Sequence, residues 1–298
     1  MAALTSLRQL QYLVALADRL SFTRAARDCH ATQSTLSAGL KELEQLLGVR
    51  LVERDRQTVM MTPVGLAVTQ RARAILAAAR DLSDLAAAGA RPMSGLLRLG
   101  VIPTIAPFLL PRALALLRKR YPQLRLALRE DLTASLLARL EDGQLDFVLF
   151  ALPFASTSLL IEPLFDDELW LVGRSDEPAL RAQRVSLTPA LADRLLLLEE
   201  GHCLREHALH ACGTAQPHND SGVEATSLLT LVQMIESGLG LGLIPELAVR
   251  GGLARSPQLM ARPLTRPAPR RTIALAARRS TTRLADLQAL AEVLRGVR

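Results

Sequence analysis

Residues 21–48 read SFTRAARDCHATQSTLSAGLKELEQLLG, and this spacing decides the fold of the N-terminal region. Ser21 supplies a capping oxygen for a short helix, SFTRAARDC, and Thr32 supplies one for a longer helix that Gly48 ends. Serine and threonine satisfy the orphan N–H groups of a first turn, and glycine tolerates the left-handed position past the last one. In the longer helix Leu36, Leu40, Leu43 and Leu47 step by four, three and four residues, which predicts one buried stripe. Gln33, Ser34, Thr35, Ser37 and Lys41 fall on the opposite face. Two short helices joined by a tight turn, the second with small polar residues outward, fit a helix-turn-helix. Glutamine and hydroxyl side chains suit base edges, and Lys41 suits a phosphate. On periodicity alone, the same face also fits a well-capped, solvated helix start.

Working outward, Ser6 is placed to cap a helix whose apolar face is Leu7, Leu10, Val14 and Ala17. Downstream, LVERDRQTVMMTP forms two β-prone runs around a polar tip, Arg54–Gln57, placed like a wing that brings Arg54 and Arg56 to the DNA backbone or minor groove. Thr62–Pro63 is a start signal for a helix running to about Ala90. Its Val68, Ala72, Ile75, Ala79, Leu82 and Ala86 alternate steps of four and three, a heptad seam that predicts dimerisation. GARPMSG, residues 89–95, reads as a linker.

From Leu96 the pattern alternates strands and helices. LLRLGVI, LRLALRE, LDFVLFAL, ELWLVGRS, RLLLLEE, VEATS, LGLIP and TIALAAR read as extended segments, with LDFVLFAL of the buried parallel type. Helices are expected at PFLLPRALALLRKRYP, TASLLARLEDG, about 204–211, SLLTLVQMIESG and near 282–296. More strands than one small sheet holds predict an open α/β region in two lobes.

The bulk numbers agree with a globular protein of more than one domain: 298 residues, 49% hydrophobic and 22% charged. A net charge of +7 favours a polyanionic partner. Charged residues interrupt every apolar stretch before bilayer length, and the first residues lack a basic leader and cleavage site, so a cytoplasmic protein without membrane contact is expected. Nothing corresponds to a nucleotide-binding loop, a GxSxG elbow or an HExxH motif, which argues against an enzyme.

The unusual chemistry is concentrated in EEGHCLREHALHACG, where two of three cysteines and three of five histidines lie between His202 and Cys212. Cys203 follows a glycine at a helix start, with His202 beside it and Arg205 two residues on, a setting that favours thiolate. A thiolate attacks peroxide to give a sulfenic acid, with which a second thiol condenses. Were 203–212 one helix, its ends would stand roughly 13 Å apart. A disulfide needs roughly 4.4–6.8 Å between Cα atoms, so a bridge requires unwinding. Two alternatives stand beside this: incidental thiols with no redox role, or a zinc or nickel site from Cys203, His207, His210 and Cys212. Cys29 reads as helix packing.

Taken together, LRQLQYLVALADRLSFTRAARDCHATQSTLSAGLKELEQLLGVRLVERDRQTVMMTPVGLAV closely resembles the N-terminus of LysR-type transcriptional regulators. VIPTIAPFLLP, LLLLEEGHCLREHALHAC, EATSLLTLVQMI and PAPRRTIAL resemble the peroxide-responsive members of that family. The resemblance implies an α+β multidomain fold: a winged helix-turn-helix (1–62), a linker and dimerisation helix (63–91), and a two-lobed α/β, periplasmic-binding-protein-like effector domain (92–298). It also implies a homo-oligomer, a dimer of dimers, binding operator DNA through Gln33, Ser34, Thr35, Ser37, Lys41, Arg54 and Arg56 and working with RNA polymerase. Cys203 would be the peroxidatic and Cys212 the resolving cysteine. Thr104, Thr133, His202, Arg205 and Arg270 or Arg271 would form the hydrogen peroxide pocket. No cofactor or metal is required, and glutaredoxin or thioredoxin would reduce the disulfide. Ser34 departs from the proline of many members, and Glu206 from the aspartate expected after the arginine.

Overall fold

The computed structural model describes residues 5–54, 58–87, 92–154, 159–213 and 224–297. The chain divides into two compact units, residues 1–89 with 141–144, and residues 90–140 with 145–298.

The first unit contains α1 (Leu7–Arg19), α2 (Phe22–Asp28), α3 (Gln33–Leu47), β1 (Val52–Arg54), β2 (Val59–Met61) and α4 (Pro63–Ala87). Its helices begin where the sequence supplies oxygens. Ser6 forms a reciprocal capping box with Gln9, Ser21 accepts from Arg24 N, and Thr32 accepts from Thr35 N. Leu10, Leu13 and Leu16 of α1 meet Phe22, Ala25 and Ala26 of α2, Leu36, Leu40 and Leu43 of α3, and Ala72 and Leu76 of α4. Two expected core positions are therefore corrected. Leu7 is 48% exposed and Leu47 is 39% exposed, because each sits at a helix end that projects past the packed layer. The inward face of α1 is centred on Leu13, not on Val14.

The seam expected on α4 also divides. Ala72 is buried within its own unit, whereas Ile75 and Leu82 are 48% and 69% exposed. The steps of four and three therefore reflect packing on α1 as well as a free apolar face. β1 and β2 pair antiparallel with Val52 opposite Met61. The tip of this ribbon, with Arg56, lies outside the described residues.

The second unit contains β3 (Gly95–Val101), α5 (Ala106–Arg120), β4 (Leu124–Glu130), α6 (Thr133–Glu141), β5 (Phe147–Leu152), β6 (Leu159–Arg174), α7 (Pro189–Ala192), α8 (Cys203–Cys212), α9 (Leu228–Glu236), β7 (Gly242–Pro245), α10 (Glu246–Arg250), β8 (Leu259–Pro263), β9 (Arg270–Arg278) and α11 (Leu284–Gly296). The sheet is mixed and seven-stranded, in the order β4-β3-β5-β9-β6-β7 with β8 also on β6. β3 pairs parallel with β4 and β5, while β5 and β6 both run antiparallel to β9. β5 is buried from Phe147 to Ala151, as its apolar run predicts, but is parallel on one side only.

Three readings change. β6 starts at Leu159 rather than Glu168, because Pro163 is absorbed at a bulge between Pro163 and Phe165 instead of breaking the strand. RLLLLEE is not a strand but makes isolated bridges, Leu195 to Leu241 and Leu198 to Ala225. Of VEATS, Val223 lies outside the described residues, and Ala225 makes that second bridge.

Two cores form on this one sheet. Phe147, Phe150 and Ile273 belong to the first with α5, α6 and α11, and Leu169, Leu171 and Ile244 to the second with α8 and α9. β6 serves both, its first half along β9 and its second between β7 and β8. No helix among the described residues is long and apolar enough to cross a membrane.

Candidate functional site

In the first unit, the turn between α2 and α3 is closed by backbone bonds from Cys29, His30 and Ala31 to Ala25, Arg27 and Ala26. These fix the start of α3 against α2. Gln33, Ser34, Thr35 and Lys41 are exposed there, and Ser37 is half-buried. The Thr23 hydroxyl donates to Gln33 Oε1 at 3.1 Å. The Thr32 hydroxyl lies 2.9 Å from that of Ser34 and 2.7 Å from that of Thr35. The helix start thus offers an ordered group of hydroxyls and one amide, suited to base edges and phosphates. Thr23 is not singled out by the sequence, since one threonine on a short helix has no periodic signature. Cys29 packs half-buried on this unit's core, and burial pushes its thiol pKa up, in keeping with a packing role.

In the second unit, Gly201 adopts φ +94° before α8, and a β-carbon there would meet Leu132 at 3.1 Å. Glycine alone joins that backbone to so close an approach. His202 is the buried N-cap but makes no side-chain capping bond. Cys203 opens α8 and packs against the first core, while Cys212 closes it and packs against the second. Both are free thiols. With one α-helix between them, the rise separates their Cα atoms by roughly 13 Å. Burial, with Asp193 nearby, pushes the Cys212 thiol pKa up.

Arg271 organises the neighbouring buried polar groups. It is 1% exposed, and its Nε donates to Asp167 Oδ2 at 3.1 Å. Its Nη1 donates to Thr104 Oγ1 at 2.7 Å and its Nη2 to the Thr104 carbonyl at 3.2 Å. Asp167 Oδ1 in turn accepts from Leu247 N at 2.9 Å. With its oxygen accepting from Arg271, the Thr104 hydroxyl keeps its own hydrogen for another acceptor. Thr133, at the start of α6, is buried, and its Oγ1 has no hydrogen-bond partner among the described residues. Arg270 points the other way, as strand alternation requires, and pairs on the surface with Asp166 at 3.2 Å.

Arg205 is not drawn to the thiol by any hydrogen bond here. Its Nη1 donates to the Leu198 carbonyl at 2.9 Å and to Glu224 at 2.7 Å, bracing the Leu198–Ala225 bridge. Among the described residues, no group of three or more metal-ligating side chains assembles. Sequence reasoning does not select Asp167 as a site residue, although the acidic run Asp166–Asp167–Glu168 lies opposite Arg270–Arg271 in the ladder. Two such complementary runs are the available signal.

Comparison with known proteins fits this construction. Residues 7–66 match the bacterial regulatory helix-turn-helix protein model of the lysR family, and residues 90–298 match the LysR substrate binding domain model. The chain is 45% identical over 299 residues to the HTH-type transcriptional regulator EstR of Acinetobacter baylyi, covering 100% of this chain and 98% of that one. It is 38% identical over 290 residues to the hydrogen peroxide-inducible genes activator of Pectobacterium carotovorum, covering 97% and 96%. It is also similar to the solved structure of a full-length OxyR from Pseudomonas aeruginosa bearing a cysteine-to-aspartate substitution, with TM-score 0.82, 36% identity and 99% of both chains covered. Matched over both units by the same family's models, the chain belongs to the LysR family of bacterial transcriptional regulators.

Proposed function

We propose that this regulator senses hydrogen peroxide through Cys203, with Cys212 as the resolving thiol. The observation that carries the reading is α8, which keeps two free thiols at opposite ends of one helix and against different cores. The sulfur of Cys203 attacks one peroxide oxygen, the O–O bond breaks, and hydroxide leaves to become water. The Cys203 sulfenic acid then accepts attack by the Cys212 sulfur, the S–O bond breaks, and a second water departs as the disulfide forms. Thr104, Thr133 and Arg271 suit peroxide in the first step, since hydroxyls and a guanidinium donate to a departing oxygen. His202 belongs to the same pocket as the helix cap, and Arg205 orders its rim through Glu224. Of the two arginines, Arg271 rather than Arg270 is the pocket residue.

Half-buried Cys212, its thiol pKa pushed up, is a poor nucleophile while α8 is folded, so closing the bridge and unwinding the helix go together. Residues 1–62 then serve as DNA reader, 63–91 as linker and 92–298 as sensor. Gln33, Ser34, Thr35, Ser37, Lys41, Arg54 and Arg56 contact operator DNA. Ile75 and Leu82 provide the apolar face on α4 for a homodimer, assembled further as a dimer of dimers. Movement within the sensor changes the spacing of the DNA readers and their use by RNA polymerase, and glutaredoxin or thioredoxin resets the bridge. Relatives named for peroxide induction support this reading.

A second reading is favoured by the similarity to EstR, whose name carries no mention of peroxide. Here a metabolite bound between the lobes is the signal and the thiols are inert. Mass spectrometry of the reduced protein after brief stoichiometric peroxide, with free thiols alkylated, separates the two. A rapid intramolecular Cys203–Cys212 bridge, reversed by dithiol, is expected. Two free thiols on a protein that still binds DNA would favour the metabolite.

A further inference from the structure

Between the two thiols, α8 carries a buried group that the peroxide chemistry does not use. His207 is 8% exposed, and its Nε2 lies 3.0 Å from the carbonyl oxygen of Leu152. A carbonyl can only accept, so Nε2 bears the hydrogen and Nδ1 is bare. That Nδ1 is buried with no partner among the described residues. Burial, and next the charge of Arg271, hold the imidazole neutral, with a pKa pushed down to about 4. Leu152 ends β5 and packs on the first core. Leu204 and Ala208, on either side of His207 in the helix, are buried in the second core. The His207–Leu152 bond therefore ties the helix of one lobe to the sheet of the other.

We propose that His207 is a positioning residue, a latch whose release sets how fast the oxidised Cys203 meets Cys212. The proposal rests on the peroxide reading. His207 stands four residues after Cys203 and five before Cys212. Bringing helix ends roughly 13 Å apart to within roughly 6 Å of each other must break the turns around it. The imidazole then leaves its pocket and gives up the Leu152 bond. Oxidation of Cys203 precedes that movement and needs no unwinding. The latch consequently acts on the second step and spares the first, a division that a general loosening of the fold would not produce.

Two variants of the full-length protein separate these effects. H207L keeps apolar volume in the pocket but cannot donate, whereas H207Q retains an N–H able to reach the Leu152 carbonyl. Rapid-quench alkylation with mass spectrometry follows loss of the Cys203 thiol and appearance of the disulfide as separate events. In H207L the disulfide is expected to close about fivefold faster, the effect of one net hydrogen bond on a barrier. The first step should be unchanged, and H207Q should return closure to the rate of the unsubstituted protein. Closure in H207L at the unsubstituted rate, or H207Q behaving like H207L, overturns the latch while leaving the peroxide reading intact. Absence of Cys203 oxidation in the unsubstituted protein removes the peroxide reading itself, and the latch with it.

Discussion

The two helices that carry the proposed chemistry, α3 and α8, are stabilised in opposite ways. α3 is closed by its own sequence: Thr32 caps the first turn, Gly48 takes the left-handed position with its N–H bonded to Glu44, and three leucines fill one face. α8 makes no capping bond from the side chain of His202 and is held from outside. Leu204 and Ala208 enter one core, Cys203 touches another, His207 reaches Leu152, and Arg205 reaches Leu198 and Glu224. A helix with satisfied ends keeps its shape when its surroundings shift. One that depends on its neighbours is released when a single neighbour changes.

The sharpest way to break this comparison is to disturb the buried charges beside α8. In Asp167→Asn, Arg271 keeps a charge that is fully buried and loses its counterion, and the expected cost is about 3–5 kcal/mol. Chemical denaturation should show the loss in the transition of the second unit, with the first unit unmoved. A loss below about 1 kcal/mol would mean that the buried pair is dispensable.

The next effect is on pH. The folded pKa of His207 lies near 4, below its ordinary 6.5, so the unfolded chain binds the proton first. This contribution is fully present above about pH 6.5 and is lost as pH falls toward about 4, a change of up to about 3 kcal/mol. Thermal melts across that window should slope less in H207Q than in the unsubstituted protein, and parallel slopes would assign the pH dependence elsewhere.

Smaller effects test the helix ends and surfaces. Thr32→Ala is expected to cost about 1 kcal/mol in the first unit and to leave the thiol–disulfide equilibrium unchanged. At exposed His210, glycine in place of alanine should weaken α8 by about 0.5–1 kcal/mol and shift that equilibrium toward disulfide about two- to fivefold. The same exchange at exposed Gln45 on α3 should lower only the melting temperature. A redox response to the Gln45 exchange would dissolve the distinction between the two helices.

Legibility in the sequence follows the same divide. The start of α3 was readable because caps and stripe lie within one short stretch, and the ends of α8 were readable because two cysteines and a glycine mark them. The pairing of Arg271 with Asp167 was not, since β9 and β6 meet across more than a hundred residues and nothing local indicates which of two adjacent arginines faces inward. The sequence offers His207 only within an alternative metal site, and its bond to the Leu152 carbonyl is not legible there, because a backbone carbonyl has no residue-type signature. The long β6 was hidden by Pro163, whose usual meaning is a break. Leu7 and Leu47 had the correct period, but periodicity does not report where the opposing layer ends.

That long strand has a mechanical consequence. Because β6 is laddered to β9 along its first half and to β7 and β8 along its second, this passage between the two cores is continuous strand, whereas the return passage, residues 264–269, is not. Opening the lobes like a clamshell would break ladder bonds on both sides of it. The low-energy deformation is torsion about the strand axis, which leaves the register intact and turns one core against the other. On the peroxide reading proposed above, a local collapse of α8 would leave the sensor as a rotation, resisted chiefly by the stiffness of β6.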